Sequence, residues 1–586
     1  MEATRHILIG VVLSLSLTPP VRGQAVETSI PPPPPTVFDD PELVRNYQAT
    51  IEPRELAAQL YLFSSDYFEG RETTTRGQKL AAEYLASRYR EMGLEPMGEV
   101  DTGHPYAPEA YFQPFDVNGS RLREARLGVL VQGDTVARSL FSRHAQDGLA
   151  YLFIGNTPEA DGPVVFAGYG ISDDDLGYDD FRALEDKGIS PVGKWLLVMR
   201  DEPLADASSS LLPTVDGRPS VWSHSIHQKV RAAYRSGIPK GLLVIDDVGP
   251  RASGDFASDA RRAAEGLRGV GSLSLKREDR RLPVYRISSE MANVLMSPAG
   301  RTVAEIKAQI DENLDPVVTE LPGVEVSSRI RHTRFTAETE NVLAYLEGSD
   351  PVLREEVVVI SSHYDHIGVD PTLIGDQINN GADDDGSGTV AMLEIAEAFI
   401  HAASDGYAPR RSILFLHVSG EEKGLLGSEY YADEFAANDD ALSIENTVAN
   451  LNVDMIGRHD PSYPGEDSNY VYIIGSDLIS EELHQINMRA NELTATGLVL
   501  DERFNSRNDP NQFYARSDHW NFGKPPHLVP FIFFFTGTHE DYHRPDDEAH
   551  KIDYDRLASI SRLIFATAWQ LANQDERPVV TGEGFN

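Results

Sequence analysis

The segment SILFLHVSGEEKGLLGS, residues 412–428, joins an apolar run to two adjacent carboxylates. Its first seven residues are typical of a strand that is buried on both faces of a mainly parallel sheet. Glu421 and Glu422 follow the end of this strand, where partial loss of water makes an unpaired charge costly. Taken alone, the segment could also be a solvated loop tip, so the rest of the chain has to distinguish the two readings.

The C-terminal half contains four further apolar runs that predict strands of the same kind. They are EVVVIS (356–361), VANLNVDMI (448–456), YVYIIG (470–475) and LVPFIFFF (528–535). Between them, TVAMLEIAEAFI (389–400) has the apolar spacing of a helix. This alternation predicts an α/β fold with a mixed, mainly parallel central sheet flanked by helices. In such folds, ligands bind beyond the carboxyl ends of the strands.

Histidine, aspartate or glutamate side chains lie at the ends of four of these predicted strands and directly before the predicted helix. The stretches are SSHYDHIG (361–368), NNGADDDGSG (379–388), GEEKGLLGS (420–428), NVDMIGR (452–458) and EDYHRPDD (540–547). A cluster of carboxylates becomes tolerable when it binds a divalent cation. Histidine and carboxylate ligands without sulfur favour zinc in a hydrolytic site, with cobalt or manganese as substitutes.

The HYD stretch suggests how one ligand is oriented. His363 and Asp365 are two residues apart, so their side chains point the same way in extended backbone. Asp365 can then accept the second ring N–H of His363, as carboxylates do beside metal-bound histidines. The neighbouring His366 is interpreted as a structural or supporting residue.

Composition restricts the class of protein. The chain has 586 residues and 41% hydrophobic content, enough for three or four units with sizeable cores. A formal net charge of −40 argues against nucleic acid as a partner. The absence of cysteine excludes disulfides, thiolate ligands and a catalytic thiol.

The N-terminal residues predict export. Residues 1–25 resemble a secretory signal peptide. The apolar stretch 7–17 is shorter than the roughly 20 residues that span a bilayer, although a membrane anchor is the alternative reading. We therefore expect a periplasmic or secreted protein without a stable membrane anchor, in which a proline-rich linker, 26–40, follows the signal.

The remaining chain divides into four predicted segments. Residues 41–117 form a helical part with the turn EGRETTTRG (69–77), and 118–325 form an inserted β-rich module with one helix, HQKVRAAYRSGIPKG (227–241). Residues 326–575 form the catalytic domain, and 576–586 are a tail. The inserted module is expected to act as a wall or lid that limits access to the site.

Six motifs together resemble metallopeptidase family 28. In chain order they are HYDHIG, NNGADDDGSG, SGEEKGLLGS, NVDMIG, YARSDHW and DYHRPDD, and the resemblance covers 341–572. The segment EGRETTTRGQKLAAEYLASRYREMGLEPMG is similar to the N-terminal helices of that family. VVFAGYGISDDDLGYDDF and VGKWLLVMRDEP resemble an inserted protease-associated domain. The resemblance implies a zinc exopeptidase fold.

The same resemblance implies a role for individual side chains. It assigns two zinc ions to five ligands: His363 and Asp454 on the first ion, Glu422 and His543 on the second, and Asp384 bridging both. It implies that Glu421 is the general base toward a bridging hydroxide, and that Tyr514 stabilises the tetrahedral intermediate. Three ligand carboxylates and a hydroxide carry four negative charges, and two divalent ions carry four positive charges, so the site has no net charge.

The predicted function is that of an exported dizinc aminopeptidase acting on peptides with a free N-terminus. Three alternatives stay open: a carboxypeptidase or dipeptidase of the same family, a single-zinc glutaminyl cyclase, and a non-catalytic binding protein. A carboxypeptidase would need basic residues for the substrate carboxylate, and Arg458, Arg516 and Arg544 lie close to the motifs.

Overall fold

A computed structural model describes residues 33–585 except 101–102, 105–106, 143–144, 215–216, 267–270, 277–280, 438–441, 465–468, 507–508 and 510. The predicted signal peptide, 1–25, and the first part of the linker lie outside these residues, so export stays a prediction from the sequence. Within them, no helix is both long and apolar enough to cross a membrane.

Three helices open the described chain, namely α1 (Pro41–Gln48), α2 (Pro53–Phe63) and α3 (Arg76–Met92). All three lie within the segment 41–117 that the sequence predicts to be helical. Gly93 ends α3 in the left-handed conformation, with a φ of +80°, as glycine commonly does at helix ends. The buried faces of these helices pack into the same hydrophobic core as the helices of the C-terminal half.

The following region combines short strands with helices. Its strands are β1 (Glu95–Pro96), β2 (Phe112–Val131), β3 (Asp134–Ser142), β4 (Ala145–Gln146), β5 (Ala150–Ile154), β6 (Glu159–Ala167), β7 (Ser172–Asp173), β8 (Tyr178–Asp179), β9 (Trp195–Met199), β10 (Leu204–Asp206), β11 (Ser209–Ser210), β12 (Gly241–Ile245), β13 (Ser272–Ser274) and β14 (Val284–Ile287). Its helices are α4 (Asp180–Asp186), α5 (Val221–His224), α6 (Ile226–Arg235), α7 (Phe256–Gly266), α8 (Ser289–Met296) and α9 (Val303–Asn313).

The helix content of this region differs from the prediction of a single helix. Six α-helices lie among its described residues, and β6, β9, β12 and β14 form a parallel sheet between them. The sequence could have predicted α9, because Thr302 and Glu305 have the spacing of a capping box and form one at its start. Of the other unpredicted helices, α4, α5 and α8 have eight residues or fewer, too few for a clear helical period.

Two long strands connect this region to the C-terminal half. β2 pairs antiparallel with β15 (Val318–Leu346), from Val131 opposite Val324 to Phe112 opposite Val342. The last residues of β15 also pair with the strand that precedes the GEEKG motif, so β15 continues from the inserted region into the C-terminal sheet. The inserted region is therefore continuous, through β15, with one edge of the C-terminal sheet.

The C-terminal half has the predicted α/β architecture. Its further elements are β16 (Val357–His363), α10 (Gly388–Ser404), β17 (Ser412–Val418), α11 (Leu426–Glu429), β18 (Thr447–Val453), β19 (Tyr470–Ile474), α12 (Glu481–Thr494), β20 (Val499–Asp501), α13 (His519–Gly523), β21 (Phe531–Phe535) and α14 (Tyr554–Asn573). The sheet order is β15-β17-β16-β18-β21-β19-β20, and the four strands from β17 to β21 run parallel.

Two strand boundaries differ from the prediction, with consequences for the site. β21 begins at Phe531 rather than at 528, because Pro530 has no N–H to donate to a ladder. β18 ends at Val453, so Asp454 lies just beyond the strand instead of inside it. Asp454 is thereby free to turn toward the carboxyl ends of the parallel strands.

Candidate metal centre

The predicted ligands lie at one end of the parallel sheet. His363 is the last residue of β16, Glu422 follows β17, and Asp454 follows β18. Asp384 lies in the loop that precedes α10, and His543 lies in the loop after β21. Because the carboxyl ends of parallel strands share one edge of the sheet, residues far apart in sequence converge there.

The first cluster contains His363, Asp384 and Asp454. The Nε2 atom of His363 lies 3.3 Å from Asp384 Oδ1 and 3.5 Å from Asp454 Oδ1. All three side chains are buried, and one potential ligand atom of each lies within 4.8 Å of the others. The second oxygen of Asp454 accepts a 2.7 Å hydrogen bond from the hydroxyl of Ser517, which leaves its first oxygen toward His363.

The second cluster is built on the other oxygen of Asp384. His543 Nε2 lies 3.2 Å from Asp384 Oδ2 and 3.1 Å from Glu422 Oε2. Burial acts to lower the pKa of His543, but the adjacent carboxylates of Asp384 and Glu422 outweigh it and raise that pKa to about 10. The two carboxylate oxygens of Asp384 thus face two separate histidine and carboxylate groups.

His366 is a member of the second cluster that the sequence reasoning missed. Its Nδ1 atom lies 2.8 Å from Glu422 Oε1 and 3.7 Å from Asp384 Oδ2, and its side chain is fully buried. One potential ligand atom from each of His366, Asp384 and Glu422 lies within 4.8 Å of the other two. The sequence could have indicated this role, because His366 lies in the same HYDH stretch as the predicted ligand His363.

The donor atoms of these clusters fit a divalent cation. Hydrogen-bond partners are absent for Asp384 Oδ2, Glu422 Oε1, His543 Nε2 and both ring nitrogens of His366, although the structure buries all these atoms. Buried polar atoms are normally satisfied, so unpaired atoms converging on one place point to an ion. Imidazole nitrogens with carboxylate oxygens are ligands that zinc accepts.

Asp365 supports the site differently from the prediction. The Nδ1 atom of His363 lies 3.0 Å from the backbone oxygen of Asp365, whereas the nearest carboxylate oxygen is 3.9 Å away. That carboxylate instead accepts hydrogen bonds from the Thr73 hydroxyl, at 2.7 Å, and from the Glu421 backbone N–H, at 3.2 Å. Asp365 therefore fixes the loop that carries Glu421, and its carbonyl orients His363.

Asp547 holds the loop that carries Asp384. Its carboxylate accepts hydrogen bonds from the backbone N–H groups of Asp383 and Asp384, at 3.1 and 3.2 Å. Asp547 is fully buried. The last aspartate of the DYHRPDD motif thus positions Asp384, which faces both clusters.

Arg71, from the predicted turn EGRETTTRG, forms hydrogen bonds with two loops of the site. The guanidinium is fully buried and donates hydrogen bonds to the carbonyl oxygens of Phe63, Tyr364, Asn380 and Gly381, at 2.7–3.2 Å. Two of these carbonyls precede the ADDD loop and one lies beside His363. A stretch that the sequence marks only as a turn therefore stabilises both ligand loops.

We expect Arg71→Met to lower the free energy of unfolding by about 3 kcal/mol or more, because four buried carbonyls would lose a charged donor. Chemical denaturation measures this loss. Arg76→Met is the matched control, since Arg76 is largely exposed and its ion pair with Glu69 contributes at most about 1 kcal/mol. Equal stability of the two variants would contradict the role of Arg71.

Glu421 lies beside the clusters without belonging to either metal-binding group. Its backbone N–H is held by Asp365. Burial raises the pKa of Glu421 well above its ordinary value, and the nearby carboxylates of Glu422 and Asp454 raise it further against the opposing effect of His363. A carboxyl group with a raised pKa next to a metal-binding cluster is suited to exchanging protons.

The structure places Tyr514, the tyrosine predicted to stabilise the tetrahedral intermediate, within an aromatic cluster. Its side chain is 5% exposed, and its ring packs against Phe531 and Phe585, with centroids 5.4 and 4.6 Å away. A Cβ atom on Gly584 would lie 2.3 Å from the Tyr514 hydroxyl, so this hydroxyl faces the C-terminal tail. Tyr514 is packed as a core residue of the aromatic cluster around β21.

Tyr542 is a second tyrosine, and it lies directly beside His543. Its ring stacks on His543 with centroids 3.8 Å apart, and its hydroxyl accepts a 3.4 Å hydrogen bond from Arg516. Burial raises the pKa of Tyr542, and the carboxylates of Asp384 and Glu422 raise it further. The phenol therefore stays protonated near both clusters. The sequence could have indicated Tyr542 as a site residue, because it directly precedes the predicted ligand His543.

Fold and clusters together define an α/β protein with a histidine and carboxylate metal centre at the strand ends. Residues 341–568 match peptidase family M28. The resemblance seen in the six motifs is thereby confirmed for the C-terminal half.

Individual relatives are distant. Aminopeptidase YwaD of Bacillus subtilis (strain 168) is 25% identical over 248 residues, which cover 42% of this chain and 47% of the relative. The probable glutamate carboxypeptidase AMP1 of Arabidopsis thaliana is 25% identical over 386 residues, covering 65% and 48%. The chain thus spans about half the length of these curated relatives.

A solved structure shares the fold over nearly the whole chain. The aminopeptidase from Aneurinibacillus sp. strain AM-1 superposes with a TM-score of 0.53 at 16% identity, covering 92% of this chain and 98% of that one. The inserted region is therefore part of a fold seen in another protein.

Proposed function

We propose that the protein is a zinc-dependent aminopeptidase that removes N-terminal residues from peptides. The observation that carries this proposal is the pair of histidine and carboxylate clusters that share Asp384, with Glu421 beside them. The match of residues 341–568 to peptidase family M28 supports a peptide substrate, and relatives named aminopeptidase support attack at the N-terminus.

The proposed ligand set holds two zinc ions. His363, Asp454 and one oxygen of Asp384 would bind the first ion. Glu422, His543 and the other oxygen of Asp384 would bind the second, with His366 as an additional donor. Bound there, two cations would polarise the scissile carbonyl and lower the pKa of the attacking water.

The chain's own residues supply the proton transfers. We propose that the Glu421 carboxylate accepts a proton from the attacking water and delivers it to the departing amine nitrogen. Tyr542, in place of Tyr514, donates a hydrogen bond to the carbonyl oxygen as negative charge develops on it, because its raised pKa keeps it protonated. Arg516 orients that hydroxyl through its 3.4 Å contact.

A carboxypeptidase of the same family is the second candidate. The probable glutamate carboxypeptidase aligns with 65% of this chain, a larger share than the aminopeptidase relative. Arg544, one of the arginines considered for a substrate carboxylate, lines the cavity next to His543. The two candidates differ in which end of the substrate must be free.

We expect the zinc-loaded protein to hydrolyse leucine p-nitroanilide and to leave an N-acetylated dipeptide intact, because only the first offers a free amino terminus. Absorbance at the nitroaniline band and chromatography of the dipeptide measure the two reactions. Prolonged treatment with a chelator should abolish the first, and added zinc should restore it. Cleavage of the blocked dipeptide alone would favour the carboxypeptidase instead.

A further inference from the structure

The two ligand motifs HYDHIG and NNGADDDGSG are joined by residues 368–379, which form a hairpin that we call the site hairpin. Across it, the N–H of Asp370 donates a 2.8 Å hydrogen bond to the carbonyl oxygen of Gln377. At its base, the N–H of Gly368 donates a 2.9 Å hydrogen bond to the carbonyl oxygen of Gly70, in the turn EGRETTTRG. Backbone contacts therefore hold the hairpin beside the metal-binding clusters.

The tip of the site hairpin exposes two adjacent apolar side chains. Leu373 is 37% exposed, and Ile374 is fully exposed, with the largest exposed fraction among the large apolar side chains of the described residues. Val369, on one arm of the hairpin, is 42% exposed. The polar residues of the tip are satisfied locally, since Asp370 accepts hydrogen bonds from the N–H and the hydroxyl of Thr372. The tip thus keeps its shape while its apolar surface stays available to a ligand.

These apolar side chains line a cavity that reaches the metal centre. The cavity has a volume of about 1020 Å³, and His543 of the second cluster belongs to its wall. Phe153 of β5, which is 37% exposed, lines it from the inserted region. Ligand pockets measure about 300–1000 Å³ and are lined mainly by apolar and aromatic side chains. The cavity is therefore large enough for a short peptide, with apolar side chains on walls from both parts of the chain.

The proposed reaction decides which part of a peptide reaches the site hairpin. An aminopeptidase has a single residue on the amino side of the scissile bond, so the remaining residues lie on the carboxyl side, and a cavity of this volume holds mainly that side. We propose that Leu373 and Ile374 bind an apolar side chain of the second or third residue of the substrate. This inference rests on the proposed aminopeptidase function. It adds a substrate class, namely peptides with an apolar residue close behind the one that is removed.

The expected selectivity follows from the burial of apolar surface. Contact between the tip and an apolar side chain removes surface of both partners from water, which favours the bound peptide. In an enclosed hydrophobic pocket, one methylene group changes kcat/KM by about 10–200-fold. The site hairpin contacts the side chain from one direction, and its tip stays partly in water. We therefore expect the lower end of this range, a preference of about tenfold in kcat/KM.

The experiment compares three tripeptides that share an N-terminal leucine. The reference has glycine at its second and third positions, and each of the others carries leucine in place of one glycine. In the zinc-loaded wild type, kcat/KM for the better leucine peptide should exceed that of the reference by about tenfold. Leu373→Ser/Ile374→Ser should lose this preference. The control Ile238→Ser/Val352→Ser removes side chains that are 70% and 73% exposed but lie outside the described cavity lining, and it should keep the preference.

Leucinamide, which has no side chain beyond the scissile bond, separates the outcomes. Its hydrolysis at equal rates by all three proteins shows that the metal site is intact, so that a lost preference for the leucine peptides supports the inference. A preference that persists in Leu373→Ser/Ile374→Ser, or a wild type that treats the three tripeptides alike, overturns the inference while the aminopeptidase function stands. A hairpin variant that slows leucinamide as much as the leucine peptides also overturns it, because the tip would then support the metal site itself. If the wild type cleaves neither leucinamide nor any tripeptide, the proposed function fails, and the inference fails with it.

Discussion

Glu421→Gln is expected to lower kcat by about 10²–10⁴-fold, the usual contribution of a general acid–base residue, while the zinc content stays at the wild-type level. The amide keeps the size of the carboxylate but cannot accept the proton of the attacking water. Since Glu421 belongs to neither metal-binding group, its replacement leaves every proposed ligand in place.

The measurement combines kcat for leucine p-nitroanilide with zinc determined by mass spectrometry on the same sample. Glu397→Gln is the matched control, because Glu397 is a partly exposed glutamate on the remote half of α10. The control should keep full turnover. Wild-type turnover in Glu421→Gln would rule out the general-base role, and loss of zinc from it would reassign Glu421 as a ligand.

The sequence predicted the C-terminal half well because each strand is buried on both faces. SILFLHV was placed without error as β17. The rule that strand ends converge indicated where the site lies, and the resemblance to the family supplied the individual ligands. Burial on two faces leaves a run of apolar residues with no competing helical period. The helices of the inserted region lack such a signal, because they are short and only one side of each is buried.

Contacts between distant loops were beyond what spacing could predict. Arg71 reaches across nearly 300 residues to Tyr364, and nothing in EGRETTTRG marks it as buried. Tyr514 and Tyr542 both lie close to matched motifs, so only the packing of Tyr514 against Phe585 distinguishes them. Spacing also failed to predict the contact between His363 and Asp365, which are two residues apart. The turn after β16 brings the carbonyl of Asp365, rather than its carboxylate, to His363.

Asp384→Ala is expected to abolish the binding of both zinc ions, whereas His543→Ala should retain one. Asp384 is the single residue that belongs to both metal-binding groups of the described structure, with one oxygen toward His363 and the other toward His543. Loss of a supporting residue typically weakens metal binding about 10–100-fold, and loss of a shared ligand should exceed this. Turnover should be lost in Asp384→Ala, and nearly lost in His543→Ala, because one ion alone cannot orient the substrate as two do.

Zinc titration followed by calorimetry gives the number and affinity of the ions, and thermal unfolding gives an independent readout. A ligand that binds only the folded state stabilises it, so excess zinc should raise the Tm of the wild type and leave that of Asp384→Ala unchanged. Asp405→Asn is the control, since Asp405 lies at the far end of α10, about 25 Å along the helix from the site. Two ions bound with wild-type affinity in His543→Ala would show that the proposed ligand set is wrong, because the second cluster would then not depend on the imidazole that lies 3.1 Å from Glu422.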